Sequence, residues 1–593
     1  MFFANDPSAY RTRLIVHTLI PTFVLPVLVT TLFLQRVYPD VALLFLLIAQ
    51  LFSIPAWGAI TVRYGQYQQR KLADSLNAQI IPRVRGRWPG NLDIMLNMIK
   101  AAKERYLHDP YEDLFEEYKS NTLNLGFLWG DFIITKDEEV VKYVLTTGHD
   151  HFGHGSRVKE ILARFLGDGI FNSDREIWKF HRSMTRPFFL KERISDFENF
   201  EHHTSRTLSV LRALGPIPID VQDLFGRFTI DAASSFLFGS SLETLSMPLP
   251  KAGEAKMGPK GSSASGEFGD FAQAFEEAQQ VVTLRARSGN LWPAIEFFGD
   301  RLSPSIKAMD SFLGPMVENT LKENRMAAAR GVKKSTDETN LLEYMAANTD
   351  DPKIIRDELL NILLAGRDTT AALITFTVYA LALHPHVLER AREEIVSKCP
   401  PGTVPSFDDL KTFKYLRAVL NEVLRLYPPV PIILRASTSG ATAIPRTTTA
   451  DGTLRKPYFI PSKANVAFSS FLLHRRKDRW GQDAEEFDPD RWLDSRVEHM
   501  VKNPFIFVPF NAGPRICIGQ QFALNEASFF LVRLLQEYDS FELTPEYQPE
   551  GSQPPAGWYR GRGRAAVEKV WFASAMTLFA KGGLWLRFGK ATI

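Results

Sequence analysis

The 593-residue chain carries 70 basic and 67 acidic residues, and a net charge of +3 lacks the overall electrostatic footprint of a nucleic-acid binder. Its two cysteines, Cys399 and Cys517, exclude the disulfide framework of a small secreted protein and suit a reducing, cytosol-facing compartment. With 45% hydrophobic residues there is ample material for a large buried core.

Two uncharged stretches come first in the chain, Leu14 to Leu34 and Val41 to Ile60, each long enough to cross the roughly 30 Å hydrocarbon layer of a bilayer. The first contains His17, Pro21 and Pro26, all awkward in lipid, so a kinked or interfacial segment competes there with a full span. The second is the better span. No small-residue cleavage site follows a short apolar core, which points to an uncleaved anchor. Arg63, Arg70, Lys71, Arg83, Arg85 and Arg87 crowd in after the second stretch, and the positive-inside rule then puts the bulk of the protein on the cytoplasmic side. Residues 1–62 are assigned to a membrane anchor of one or two apolar segments, and 63–593 to one helix-dominated body.

Apolar residues at helical spacing predict helices over 91–106, 271–284, 352–383, 412–427 and 518–538. WKFHR places Trp178 and Arg182 four apart on one helical face, an indole N–H and a guanidinium both suited to a carboxylate. The run PLPKAGEAKMGPKGSSASGEFG, 248–269, is rich in Gly, Ser, Lys and Pro and predicts a flexible surface insertion, with a second polar loop at 327–339. Inside 352–383, AGRDTT sets Asp368, Thr369 and Thr370 amid ILLAG and AALITF, an otherwise apolar stretch. A threonine hydroxyl there can bond to a preceding carbonyl and open the helical turn, leaving a groove.

Farther along, NEVLRLYPP sets Glu422 and Arg425 three apart, and Pro428, Pro429 and Pro431 end the helix; taken alone, such a pair is usually a solvated surface bridge. Arg435 and FDPDRW, with Arg491, follow. In FNAGPRICIG, 510–519, a lone cysteine stands at the entrance to a helix, where the dipole and unpaired N–H groups favour the thiolate of Cys517. Gly513 and Gly519 let the backbone turn tightly against a flat group where a Cβ would clash, and Arg515 supplies charge-assisted hydrogen bonds. The last pattern, 576–588 around Gly582-Gly583, predicts a terminal β-hairpin.

The spacing Phe510, Gly513, Arg515, Cys517, Gly519 resembles the heme-binding signature of the cytochrome P-450 family, and five fixed positions arise by chance in such a chain with odds on the order of 10⁻⁴. The resemblance implies a mainly α fold with small β-sheets behind the N-terminal membrane anchor, and heme b with Cys517 as its axial iron ligand. Trp178, Arg182, Arg435 and Arg515 are implied to bind the heme propionates, and Arg491 to join Glu422 and Arg425 in a buried network supporting the cysteine loop. AGRDTT resembles the oxygen-activation motif, which implies Thr369 as the hydroxyl beside the oxygen site and Asp368 as the relay of solvent protons to it. Some fatty-acid ω-hydroxylases carry an acid that esterifies the heme where this chain has Ala365, so the heme is expected to be non-covalently bound apart from the Fe–S bond.

GDGIF ahead of WKFHR, AGRDTTAAL and FNAGPRICIGQQFAL look most like fungal microsomal members that oxidise alkanes and fatty acids. A heme-thiolate monooxygenase inserting one atom of O2 into a long-chain fatty acid or alkane is therefore the expected activity, with aromatic, xenobiotic or terpenoid substrates as the alternative. Ile432, Ile433, Leu434, Leu363 and Leu364 suit an apolar site. No convincing G-x-G-x-x-G follows a strand, so electrons from NADPH are expected through a separate NADPH–cytochrome P-450 reductase docking on the face around Cys517. The expected setting is the endoplasmic reticulum membrane, with lipid as a partner, no nucleic acid, and the catalytic domain facing the cytosol. A heme-thiolate isomerase or peroxygenase would need no reductase and a heme sensor no proton relay; Asp368 and Thr369 argue against both.

Overall fold

The computed structural model describes residues 9–189, 197–255, 267–330, 340–445 and 456–591. Two long helices precede the main body, α1 (Ala9–Val37) and α2 (Leu43–Ser75), and both leave most of their leucines and phenylalanines exposed. In α1 the winding widens to a π-helix over Ile15–Val24, with Pro21 inside it. Proline has no N–H to donate and its ring meets the carbonyl one turn back, and a wider turn relieves that clash. The proline therefore distorts the helix without ending it. The helices fold as a hairpin, in which the Gln50 amide donates to the Thr31 hydroxyl at 2.7 Å. Helix α2 runs unbroken through residue 62, the boundary expected from sequence, and joins the body beyond it.

The body is built on α7 (Pro352–Leu383), with α3 (Arg175–Thr185), α4 (Val221–Phe238), α5 (Glu267–Ser288), α6 (Ser303–Ala329), α8 (Lys414–Leu426) and α9 (Gln520–Glu537) around it. The side chain of Asp351 caps α7 by accepting from the Lys353 N–H, Pro352 fits its first turn, and Pro385 lies just beyond its end. This helix is apolar enough to cross a membrane, but 83% of its most apolar window is buried inside the protein. It is a core helix, covered by neighbours over most of its surface. Phe225 and Phe228 of α4, Phe376 and Tyr379 of α7, Val419 and Val423 of α8, and Phe529 and Phe530 of α9 are all buried in one continuous cluster.

The expected helices form, with shifted ends. The one expected at 91–106 stops at Ala101, 412–427 divides into Phe407–Thr412 and α8, and 271–284 lengthens into α5, which takes in the last three residues of the expected insertion. Half of that insertion, 256–266, and most of the second polar run, 331–339, lie outside the described residues, and α6 enters the start of the latter.

The largest sheet has the order β1-β2-β6-β5-β3, formed by β1 (Thr122–Asn124), β2 (Phe132–Thr135), β3 (Phe152–Gly153), β5 (Ile433–Ser437) and β6 (Asn465–Phe468). Arg435 of β5 stands opposite Val466 of β6. The carboxy-terminal region departs from the expected single hairpin. There β8 (Phe572–Ser574) pairs with β9 (Leu578–Ala580), whereas β10 (Trp585–Lys590) leaves to pair with β7 (Tyr538–Leu543) and β4 (Ile219–Asp220). Gly582 and Gly583 have φ of +76° and +88°, and the Asp220 carboxylate accepts from the Leu584 N–H at 2.9 Å. A buried aspartate at the end of β4 thus captures the turn and redirects the chain.

Candidate active site

Cys517 lies in the turn that leads into α9, with Gly519 as the residue before the helix. Its N–H donates to the Phe510 carbonyl at 2.9 Å, closing the loop on itself, and Phe510 packs half-buried against the main core. The side chain is open to solvent although protein crowds its surroundings. Burial pushes the thiol up, against the Gly519 N–H and the nearby Arg182 guanidinium, which pull it down. The expected preference for thiolate is therefore not met by the loop alone. A hydrogen bond and a cation favour the anion, but desolvation outweighs them.

The two glycines behave differently from each other. Gly513 has φ +68°, and a Cβ there would collide with the Leu145 carbonyl, so its freedom serves packing of the loop against a neighbouring helix. Gly519 has φ −88°, which any residue adopts, and a Cβ would make ordinary contacts at 3.5 Å from Phe189 and 4.0 Å from the Cys517 sulfur.

Four cationic or donor side chains gather beside this loop. Trp178 and Arg182 project from α3, Arg515 from the loop and Arg435 from β5. The indole of Trp178 has the guanidinium carbon of Arg515 4.6 Å and that of Arg182 5.6 Å from its ring centroid. Arg435 is only 9% exposed, its one hydrogen bond goes to the Leu434 carbonyl at 2.9 Å, and it has no carboxylate partner among the described residues. Burial, then repulsion from Arg515, pulls it down to about 10 against the opposing pull of the Asp174 charge. Arg515 is already partly engaged: it donates to Asp174 at 2.8 Å and to the Ser173 carbonyl at 3.0 Å, while its Nε is buried without a partner. Asp174 was invisible to motif reading. Burial opposes its ionisation, but bonds from His154 and Lys159 hold its carboxyl well below the ordinary value. A buried guanidinium with no carboxylate in direct contact among the described residues, and a second one with an idle donor, fit a ligand that brings carboxylates of its own.

Beneath the loop, Glu422, Arg425 and Arg491 are buried and joined. Arg425 clamps Glu422 through two bonds of 2.8 Å and gives its remaining N–H groups to the carbonyls of His474, Ala484 and Glu486. Arg491 reaches Glu422 at 3.4 Å and Asp483 at 2.9 Å, and the Trp492 indole donates to Glu422 at 3.0 Å. His474 links this network to the cysteine loop, because its ring nitrogen accepts from the Val508 N–H at 2.9 Å. Desolvation holds that imidazole neutral, down to about 3, as an acceptor must be. The pair is thus buried, and not the surface bridge that its spacing alone would suggest.

On α7 the Thr369 hydroxyl donates to the Ala365 carbonyl at 2.6 Å, yet the helix stays α-helical through these residues. The expected opening of the turn is absent: a hydroxyl can share a carbonyl's second lone pair without displacing the backbone bond. Asp368 is buried beside Arg367 at 3.4 Å, at the edge of a cleft of about 50 Å³ that Asp223, Arg227, Glu276 and Arg367 also line. Asp223 is raised to about 6, chiefly by burial. The neighbouring Thr370 hydrogen-bonds Glu526 of α9, a fully buried acid raised to about 8 by desolvation. Of the apolar candidates, Ile432, Ile433 and Leu434 are half-buried, whereas Leu363 and Leu364 are packed into core, Leu363 completely.

Comparison with known proteins agrees with this arrangement. The family model described as Cytochrome P450 matches residues 87–559. The chain is 36% identical over 458 residues to cytochrome P450 52A13 of Debaryomyces hansenii, covering 76% of this chain and 84% of that protein. It is 37% identical over 461 residues to cytochrome P450 52A9 of Candida maltosa, with the same two shares. Cytochrome P450 monooxygenase himC of Aspergillus japonicus is 36% identical over 427 residues, 72% of this chain and 70% of that one. A match that spans the cysteine loop, the buried Glu422–Arg425 clamp and the acid and hydroxyl of α7 together makes the chain a member of the cytochrome P450 family, the heme-thiolate monooxygenases.

Proposed function

We propose that this protein is a membrane-bound hydroxylase of long-chain fatty acids or alkanes, using heme b held by Cys517. The observation that carries the reading is the cluster of Trp178, Arg182, Arg435 and Arg515 beside the Cys517 side chain, with Arg435 buried and in contact with no carboxylate among the described residues. In it Arg435, Arg182 and the Trp178 indole bind the two propionates. Arg515 shares its donors between a propionate and Asp174. When bound, the heme would supply the oxygen-activating chemistry, and the Cys517 sulfur would hold its iron.

The residues of α7 have separate tasks. Thr369 presents its hydroxyl oxygen at the oxygen site as an acceptor while its own proton rests on the Ala365 carbonyl, and Asp368 passes protons inward from the small polar cleft behind it. A cleft of about 50 Å³ has room for a water or two. The heme is non-covalent, because Ala365 offers no carboxylate for an ester. The likeness of the motifs to those of fungal alkane and fatty-acid oxidisers supports the substrate class, and half-buried Ile432, Ile433 and Leu434 add apolar surface.

Electrons come from NADPH through NADPH–cytochrome P-450 reductase. Support for its docking place comes from a groove of about 690 Å³ that Lys411, Lys414 and Arg417 line together with Gln521, four residues beyond Cys517. The setting is the endoplasmic reticulum membrane with the body in the cytosol, supported by exposed apolar α1 and α2 and the basic residues after them.

The test uses the full-length protein. Reduced and treated with CO, it shows the thiolate-type Soret band, Cys517→Ala abolishes that band, and Thr369→Ala raises peroxide release per NADPH. A band that survives Cys517→Ala overturns the ligand assignment. A low-to-high spin shift with fatty acids or alkanes, and none with polycyclic aromatics, supports the substrate class, and the reverse pattern refutes it.

A further inference from the structure

Both ends of the helical hairpin α1–α2 are fastened to the same catalytic body. At the start of α1 the Tyr10 hydroxyl donates to the Glu296 carbonyl at 2.7 Å and its ring lies 4.8 Å from that of Trp292. Tyr10 is buried there, and Arg13 forms an ion pair with Glu160 at 3.2 Å. The receiving site is itself rigid. Arg285 stacks on Trp292 with its guanidinium carbon 4.6 Å from the ring centroid, grips both oxygens of Glu296 and bonds Asp300 at 2.7 Å. At the far end of α2, Gln69 donates to Asp131 at 2.7 Å, Arg83 bonds both Gln69 and Asp131, and Ala73 is buried.

Between these fastenings the surface of the hairpin is apolar. Exposed apolar side chains run from Ile15 to Val37 on α1 and from Leu43 to Ile60 on α2, about 30 and 27 Å of helix once the shorter rise of the π-helical turn in α1 is allowed for. Each length matches the roughly 30 Å of a hydrocarbon layer. Thr31 and Gln50 satisfy one another inside that layer, as polar side chains between membrane helices do. Charge follows the same order. Arg11 and Arg13 precede the first apolar run, and Arg63, Arg70 and Lys71 follow the second. At the closed end Arg36 is offset by Asp40, and Tyr38 stands exposed beside them. Under the positive-inside rule both open ends belong on the cytoplasmic side and the tip on the other.

We infer that α1 and α2 both cross the bilayer as a hairpin, with residues 38–42 on the far side and the amino-terminal end of α1 returned to the catalytic body at Trp292 and Glu296. This rests on the membrane-bound reading above and goes beyond it by assigning two crossings. A single crossing by α2 with α1 lying in the interface, or by α1 with its start on the far side, is incompatible with the Tyr10 and Gln69 fastenings held together.

Full-length protein is placed in sealed vesicles of phosphatidylcholine and phosphatidylserine with the body outward. Exposed sites are changed singly to cysteine: Thr12→Cys, Asp40→Cys and Ser495→Cys. A membrane-impermeant maleimide labels Thr12→Cys and Ser495→Cys in intact vesicles, whereas Asp40→Cys is labelled at least tenfold more after permeabilisation than before. Labelling of Asp40→Cys in intact vesicles as fast as Ser495→Cys overturns the hairpin, and so does protection of Thr12→Cys. Loss of the protein from vesicles in an alkaline carbonate wash overturns the membrane-bound reading itself, a result distinct from either labelling outcome.

Discussion

Arg425→Met tests the idea that the buried network holds the cysteine loop. All five donors of the guanidinium are used, two on Glu422 and three on the carbonyls of His474, Ala484 and Glu486, and neither Arg425 nor Glu422 has any exposed surface. Methionine fills much of the volume but leaves those carbonyls stranded and Glu422 with fewer partners. Breaking a buried ion pair from one side costs about 3–5 kcal/mol. Arg491, the Trp492 indole and the Asp488 N–H stay on Glu422 and keep the cost from rising higher. A loss of about 4 kcal/mol, on the order of 10³ in the folded-to-unfolded ratio, is a large part of the stability of a typical domain. Urea unfolding of the detergent-solubilised protein, followed by tryptophan fluorescence, measures it, and heme content per chain measures the effect on the loop. A change below about 1 kcal/mol with full heme content would refute the supporting role.

Arg435→Leu removes the buried cation that contacts no carboxylate among the described residues, and heme transfer to an acceptor protein should be faster by roughly tenfold, with Arg435→Lys in between; equal rates in all three would remove Arg435 from the propionate site. Gly513→Ala places a Cβ against the Leu145 carbonyl at φ +68° and should destabilise by about 1–3 kcal/mol or more, read as a lowered Tm. Glu526 is raised by burial to about 8, so the stability tied to its neutral form is complete below about 4.5 and is lost as pH rises toward 8. Glu526→Gln should therefore gain stability over the parent protein across that window and level off above it. Urea midpoints compared at about pH 5 and about pH 8 check this, and a pH-independent difference counts against a raised Glu526.

Sequence alone determined the family resemblance and the candidate residues of the site. The spacing from Phe510 to Gly519 marked Cys517, the long apolar helix 352–383 was legible end to end, and the polar residues interrupting it marked Asp368 and Thr369. Such signals are local, held in the order of neighbouring residues. What the tertiary structure decided is where chain segments far apart in sequence meet. The fold buries the Glu422–Arg425 clamp, which the family resemblance implied but the spacing alone did not, adds His474 as its link to the loop, and diverts Arg515 onto Asp174. It also breaks the expected terminal hairpin, because Asp220, more than 350 residues earlier, captures the turn at Gly583. The anchor shows the same division. Hydropathy located two apolar segments but could not say whether both cross, since that depends on Tyr10 meeting Trp292 and Gln69 meeting Asp131, contacts that no local pattern encodes.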